Sequence, residues 1–152
     1  MKSIFTLLLF ALTFTSTAQQ TPKSKLKGDA PKGANLIVVT FDNAKKDSLY
    51  KMATLILFDR GFSVAMSDEK LGIINTTEKG DYPSTSKLSL RVEDNRIYIH
   101  GIVQMEVSTL NIHSTDPIKN IGMKNSPAGK AWNEMNEFAK ATGGKLTYET
   151  KE

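Results

Sequence analysis

Residues 86–107 alternate apolar and polar side chains more regularly than any other stretch of the chain. Leu88, Leu90 and Val92 fall on one side, and Lys87, Ser89, Arg91 and Glu93 on the other. Successive side chains of a strand point to opposite faces, so this is the pattern of a strand with one buried face. Asp94 and Asn95 interrupt it. Both residues tolerate positive φ, which predicts a two-residue hairpin turn. Residues 96–107 return as a long strand. Ile97, Ile99, Gly101, Val103, Met105 and Val107 share one face; Tyr98, His100, Ile102 and Gln104 share the other.

A two-stranded hairpin does not fold alone in water; it needs further strands or a helix on its apolar face. The flanking sequence supplies both. Leu36, Ile37, Val38 and Val39 run without alternation, as a strand buried on both faces does. Asp42 and Asn43 are placed to cap the helix that follows. In it Leu49, Met52, Ala53 and Ile56 keep the spacing of one helical face. Tyr50, Leu55, Leu57 and Phe58 widen the apolar surface, which predicts that the C-terminal half is covered on more than one side. Arg60-Gly61 is a stop signal. Phe62, Val64 and Met66 then alternate as a strand with one buried face, Asp68 to Lys70 make a polar turn, and 71–76 form another strand. Gly72 within it points to a bulge or a close approach of backbone.

Residues 108–125 carry less signal. Leu110 and Ile112 could continue an edge strand, whereas Asp116-Pro117 and 120–125 read as loop. Ser126-Pro127 is an N-cap followed by proline at the first helical position. Ala128, Ala131, Trp132, Met135, Phe138, Ala139 and Thr142 mark one face of the helix, which Gly143-Gly144 ends. Lys145 to Tyr148 could add a short edge strand.

These elements make an α+β fold: a two-layer sandwich in the order β-α-β-β-β-β-α. An antiparallel sheet of about five strands carries two helices on one face. The domain is expected over 35–148. Residues 19–34, with Pro22, Pro31 and four lysines, read as a flexible basic linker, either a tether for anionic polymer or a plain solvated one. Residues 1–18 have the layout of a signal peptide: Lys2, an apolar run from Ile4 to Phe14, and Ser16-Thr17-Ala18 as the cleavage site. That run is short of the roughly 20 residues a membrane span needs. The mature chain is therefore expected to be periplasmic or secreted, without a transmembrane segment.

Composition then excludes several chemistries. There is no cysteine, so thiol catalysis, disulfides and zinc–thiolate sites are out. The net charge of +4 comes from dispersed lysines, with arginine only at Arg60, Arg91 and Arg96, which argues against a nucleic-acid surface. No Gly-x-Ser-x-Gly elbow, phosphate loop or paired carboxylates facing one substrate can be found. His100 and His113 lack further ligands at metal spacing. No catalytic residue, metal site or cofactor is expected.

The run 49–77 joins a helix, then Gly61-Phe62-Ser63-Val64, then Gly72-Ile73-Ile74-Asn75-Thr76-Thr77. It resembles small exported Gram-negative envelope domains. One is the helix-grip domain of the C lipoprotein of the outer-membrane β-barrel assembly machinery, whose anchoring cysteine this chain lacks. The other is a group of domains of unknown function with a fold like the TATA-box-binding protein. The resemblance implies a non-enzymatic envelope module, with no catalytic residues to carry over.

Two readings of function stay open, with a hydrolase of unrecognised site as a remote third. One is a binding or adaptor module that contacts an envelope protein through Tyr98, His100 and Gln104 on the polar sheet face, or through the loops at 78–86, with Tyr82 at the tip, and 108–125. The other is a carrier of a small apolar ligand, with a cavity between the Trp132 helix and the sheet. Trp132 at helical spacing with Met135 and Phe138 equally suits core packing.

Overall fold

A computed structural model describes residues 30–81, 83–107 and 112–151. The expected signal peptide, residues 19–29 of the expected linker, Tyr82, and residues 108–111 of the candidate loop with Leu110 lie outside the described residues.

The hairpin forms as its alternation requires. Strands β4 (Ser84–Glu93) and β5 (Arg96–Val107) pair antiparallel from Ser84↔Met105 to Glu93↔Arg96. Of the two turn residues only Asn95 takes positive φ, at 62°. The described residues hold seven strands rather than about five, all antiparallel, in the order β2-β3-β4-β5-β1-β7 with β6 also on β5. Here β1 is Leu36–Thr40, β2 Val64–Asp68, β3 Ile73–Thr76, β6 Ile112–Pro117 and β7 Lys145–Glu149. Helix α1 spans Lys46–Asp59 and α2 spans Pro127–Ala141.

One edge of β5 serves two partners. Residues 96–99 pair with β1, and residues 102–107 pair with β6. The handover falls at Gly101. A Cβ there would come 2.3 Å from the Lys87 carbonyl oxygen and 2.8 Å from Ile118 Cδ1, so only glycine lets the strands and the buried Ile118 close up. The expectation of loop at Asp116-Pro117 is thereby corrected. Both lie in β6, and the proline sits at its last position, where a missing donor costs little.

Buried side chains from both helices and from β1, β3, β4 and β5 form one cluster. It includes Ile37, Val39, Leu57, Ile74, Leu88, Leu90, Ile97, Ile99, Met135 and Phe138. These are the apolar positions of each alternating strand and the central stripe of each helix. The ladder between β3 and β4 continues through a side chain: the hydroxyl of buried Thr76 accepts from the Leu88 amide at 2.9 Å.

Capping divides the two helices. In α2 the Ser126 hydroxyl accepts from the Gly129 amide at 3.0 Å, with Pro127 opening the helix, as expected. In α1 neither Asp42 nor Asn43 is the cap. The N-cap is Lys45, whose side chain makes no capping bond. The acceptor comes from the hairpin turn instead: Asp94 Oδ1 receives the Lys46 amide at 3.3 Å. At the other end, the Lys79 ammonium donates to the Arg60 carbonyl at 2.8 Å, pairs with Glu134 at 2.5 Å and lies 4.4 Å from the Phe62 ring centre.

Three further expectations need correction. The C-terminal half of α1 is covered on one side only, since Leu55 and Phe58 are 63% and 55% exposed. Strand β2 has no continuous buried face: a bulge between Val64 and Met66 shifts its register against β3, and Met66 turns to solvent. The segment before β1 is also tied down over its last residues. Asn120 donates from Nδ2 to the Ala30 carbonyl at 2.6 Å, its backbone exchanges bonds with Gly33 and Ala34, and Ala34 is fully buried.

Candidate functional site

Pairing sets the residues of the sheet face opposite the core cluster in rows. Arg91 of β4 faces Tyr98 of β5, Tyr98 faces Val38 of β1, and Val38 faces Thr147 of β7. In the neighbouring row Ser89 faces His100, and Leu36 faces Glu149. The Arg91 guanidinium carbon stands 4.9 Å from the centre of the Tyr98 ring, the geometry of a cation held against an aromatic face. Arg91 also pairs with Glu93 at 2.9 Å. Interaction with the Tyr98 side chain on the same strand face holds Arg96 protonated more firmly than usual. Tyr98 thus has one cation against its ring face and a second interacting with its side chain.

Beside Tyr98 lies a shallow recess of about 310 Å³, lined by Leu36, Arg91, Tyr98, His100, Glu149 and residues 150–151. His100 keeps an exposed edge, but the surrounding strands desolvate it. That desolvation, with the nearby Lys151 ammonium, pushes the imidazole pKa below its ordinary value. Lys151 lies beyond the last residue of β7 and is held there by Asn35. The Asn35 side-chain amide donates to the Lys151 carbonyl at 2.8 Å and accepts from the Lys151 amide at 2.7 Å.

The structure therefore brings together two of the residues expected to bind, Tyr98 and His100. It separates Gln104 and Trp132 from them. Gln104 shares their face but lies four residues along β5, about 13 Å from His100. It lines a different recess, of about 380 Å³, with Glu78, Glu106, His113 and Thr115. There a hydrogen bond and the charge of Lys87, with a further bond from Thr85, hold the Glu78 carboxyl below its usual range. Among the described residues, Ser114 Oγ in the same recess is buried without a hydrogen-bond partner. Trp132 is 4% exposed and belongs to the core, its ring 6.1 Å from that of Tyr148. Sequence reasoning missed Arg91 and Lys151. Alternation put Arg91 on the correct face; for Lys151 the sequence holds no signal, since only the pairing of β7 with β1 carries it there.

Among the described residues no group of three histidine, aspartate and glutamate side chains could hold a metal ion. Nor is any described helix long and apolar enough to cross a membrane. Compared with known proteins, the chain matches no family model and no curated sequence.

Proposed function

We propose that the chain is an exported, non-catalytic binding module of a bacterial cell envelope, acting in the periplasm or outside the cell. In this reading the signal peptide is cleaved near Ala18. Both helices cover one layer of a two-layer sandwich, and the other sheet face meets the partner. The observation that carries it is Tyr98, with the Arg91 guanidinium against its ring, beside a recess that Arg91, His100, Glu149 and Lys151 share with Leu36. Tyrosine and arginine side by side are residues that the energetic centres of binding surfaces favour. The layout of residues 1–18 supports export.

An apolar carrier has less in its favour. Met135, Phe138, Ile97 and Ile99 fill the space between α2 and the sheet and are fully buried. The recess that Trp132 borders opens instead among Asn133, Asn136, Met123 and Lys124.

The test is in-cell crosslinking of the chain in its own envelope, followed by capture of the adduct. Tyr98→Ala with His100→Ala is expected to reduce the adduct at least tenfold, the loss typical of a central contact pair, while the far-ultraviolet spectrum stays unchanged. An undiminished adduct from the folded double variant removes the sheet-face reading. Native mass spectra of the purified protein add a second check, since a co-purified apolar molecule would favour the carrier.

A further inference from the structure

We infer that the recess between Tyr98, His100 and Lys151 binds an oxyanion, a phosphate or carboxylate group, carried by the partner or ligand of this face. The inference rests on the binding-module reading and names the chemistry that the site would take. Among the described residues Lys151 makes no ion pair, although its backbone is fixed from both directions by Asn35. A lysine that lines a recess, makes no ion pair with the described Glu149 beside it and has its backbone anchored is a ready anion partner.

The other charges around His100 leave that role to Lys151. From β4, Arg91 is engaged by Glu93 and by the Tyr98 ring. From β5, Arg96 interacts with the Tyr98 side chain. Strand β1 offers only Leu36 and Val38. From β7, Glu149 is the one carboxylate lining the recess. Its charge acts on Arg96, whereas the charge acting on His100 is that of Lys151. An anion seated between Lys151 and the imidazole would meet one cation in place and could recruit a second by protonating His100. Its negative charge would offset that of Lys151 and favour the imidazolium, so the imidazole pKa rises on binding, and by linkage the anion binds more tightly as the pH falls.

The experiment follows the His100 imidazole of the full chain by nuclear magnetic resonance, across pH, with sodium phosphate, sodium acetate or sodium chloride at equal ionic strength. Phosphate, acetate or both are expected to raise the imidazole pKa where chloride does not; which one acts assigns the group. Lys151→Ala is expected to weaken the response about tenfold, the loss of one charge-assisted hydrogen bond, and Lys151→Arg to keep it. No response beyond that to chloride, or an equal response in Lys151→Ala, overturns the inference. A normal anion response alongside undiminished envelope crosslinking in the Tyr98→Ala/His100→Ala variant would sink the sheet-face reading and leave the anion site standing. The opposite pair of results would sink the anion site alone.

Discussion

Asn35 and Lys151 are held together by two hydrogen bonds, of 2.8 and 2.7 Å, that use both halves of one side-chain amide. The Asn35 backbone amide already donates to the Glu149 carbonyl at 3.0 Å, so the side chain carries the β1–β7 ladder one step further. Asn35→Ala is expected to cost about 1 kcal/mol, because the bonds are solvent-exposed and their net worth is small. The larger effect should be local. The Lys151 amide should exchange rapidly with solvent, and the His100 pKa should move back up toward 6.5 as its cover loosens. Urea titration and amide exchange measure the two separately.

The depressed pKa of His100 has a definite sign in stability. The unfolded chain binds a proton near pH 6.5, while the folded chain resists it until lower pH. Stability is therefore full above about 6.5 and falls as the pH drops below it. Urea midpoints should decline from pH 7.5 to 5.5 in the wild type and decline less in His100→Gln. The window is distinct from that of Glu78 and Glu137, whose lowered pKa values act below 4.5.

Gly101→Ala tests the handover on β5. The added methyl would press against the Lys87 carbonyl and Ile118. The Ile118 amide bonds the Gly101 carbonyl at 2.9 Å, so the strain falls where β6 leaves the sheet. A loss of about 1–3 kcal/mol is expected, as for other overpacked sites, with amide exchange accelerated first at 114–118.

Ser126→Ala removes an acceptor from the first turn of α2 and is expected to cost about 1 kcal/mol. Asp94→Ala tests the unusual cap on α1. Its bond to Lys46 is long and exposed, so about 0.5 kcal/mol is expected there. Thermal melts of the two variants should rank in that order.

Leu55→Lys with Phe58→Glu should leave stability within about 0.5 kcal/mol of wild type, because both side chains already face solvent. A larger loss would show that the outer side of α1 packs against something in the native protein.

The parts of the fold legible in the sequence are those set by near neighbours. The turn at Asp94-Asn95 and the Ser126-Pro127 start of α2 depend on residues a few positions apart. What distant segments decide was not legible. Lys46 is capped by Asp94 from across the chain. Met66 turns outward because of a bulge that its own alternation does not reveal. Asp116-Pro117 becomes strand because the second half of β5 has a free edge to offer. The candidate site divides in the same way: alternation put Tyr98 and His100 on one face, but only the β1–β7 pairing brings Lys151 to them.

The shared edge of β5 bears on how such a protein can change over generations. The recess at Tyr98 and His100 stands on the ladder with β1, and the recess at Gln104 and His113 on the ladder with β6. Gly101 is the seam between them. Substitutions that reshape one recess need not be matched by repairs to the other, so a lineage carrying this sheet could retune two surfaces one at a time while keeping a single core.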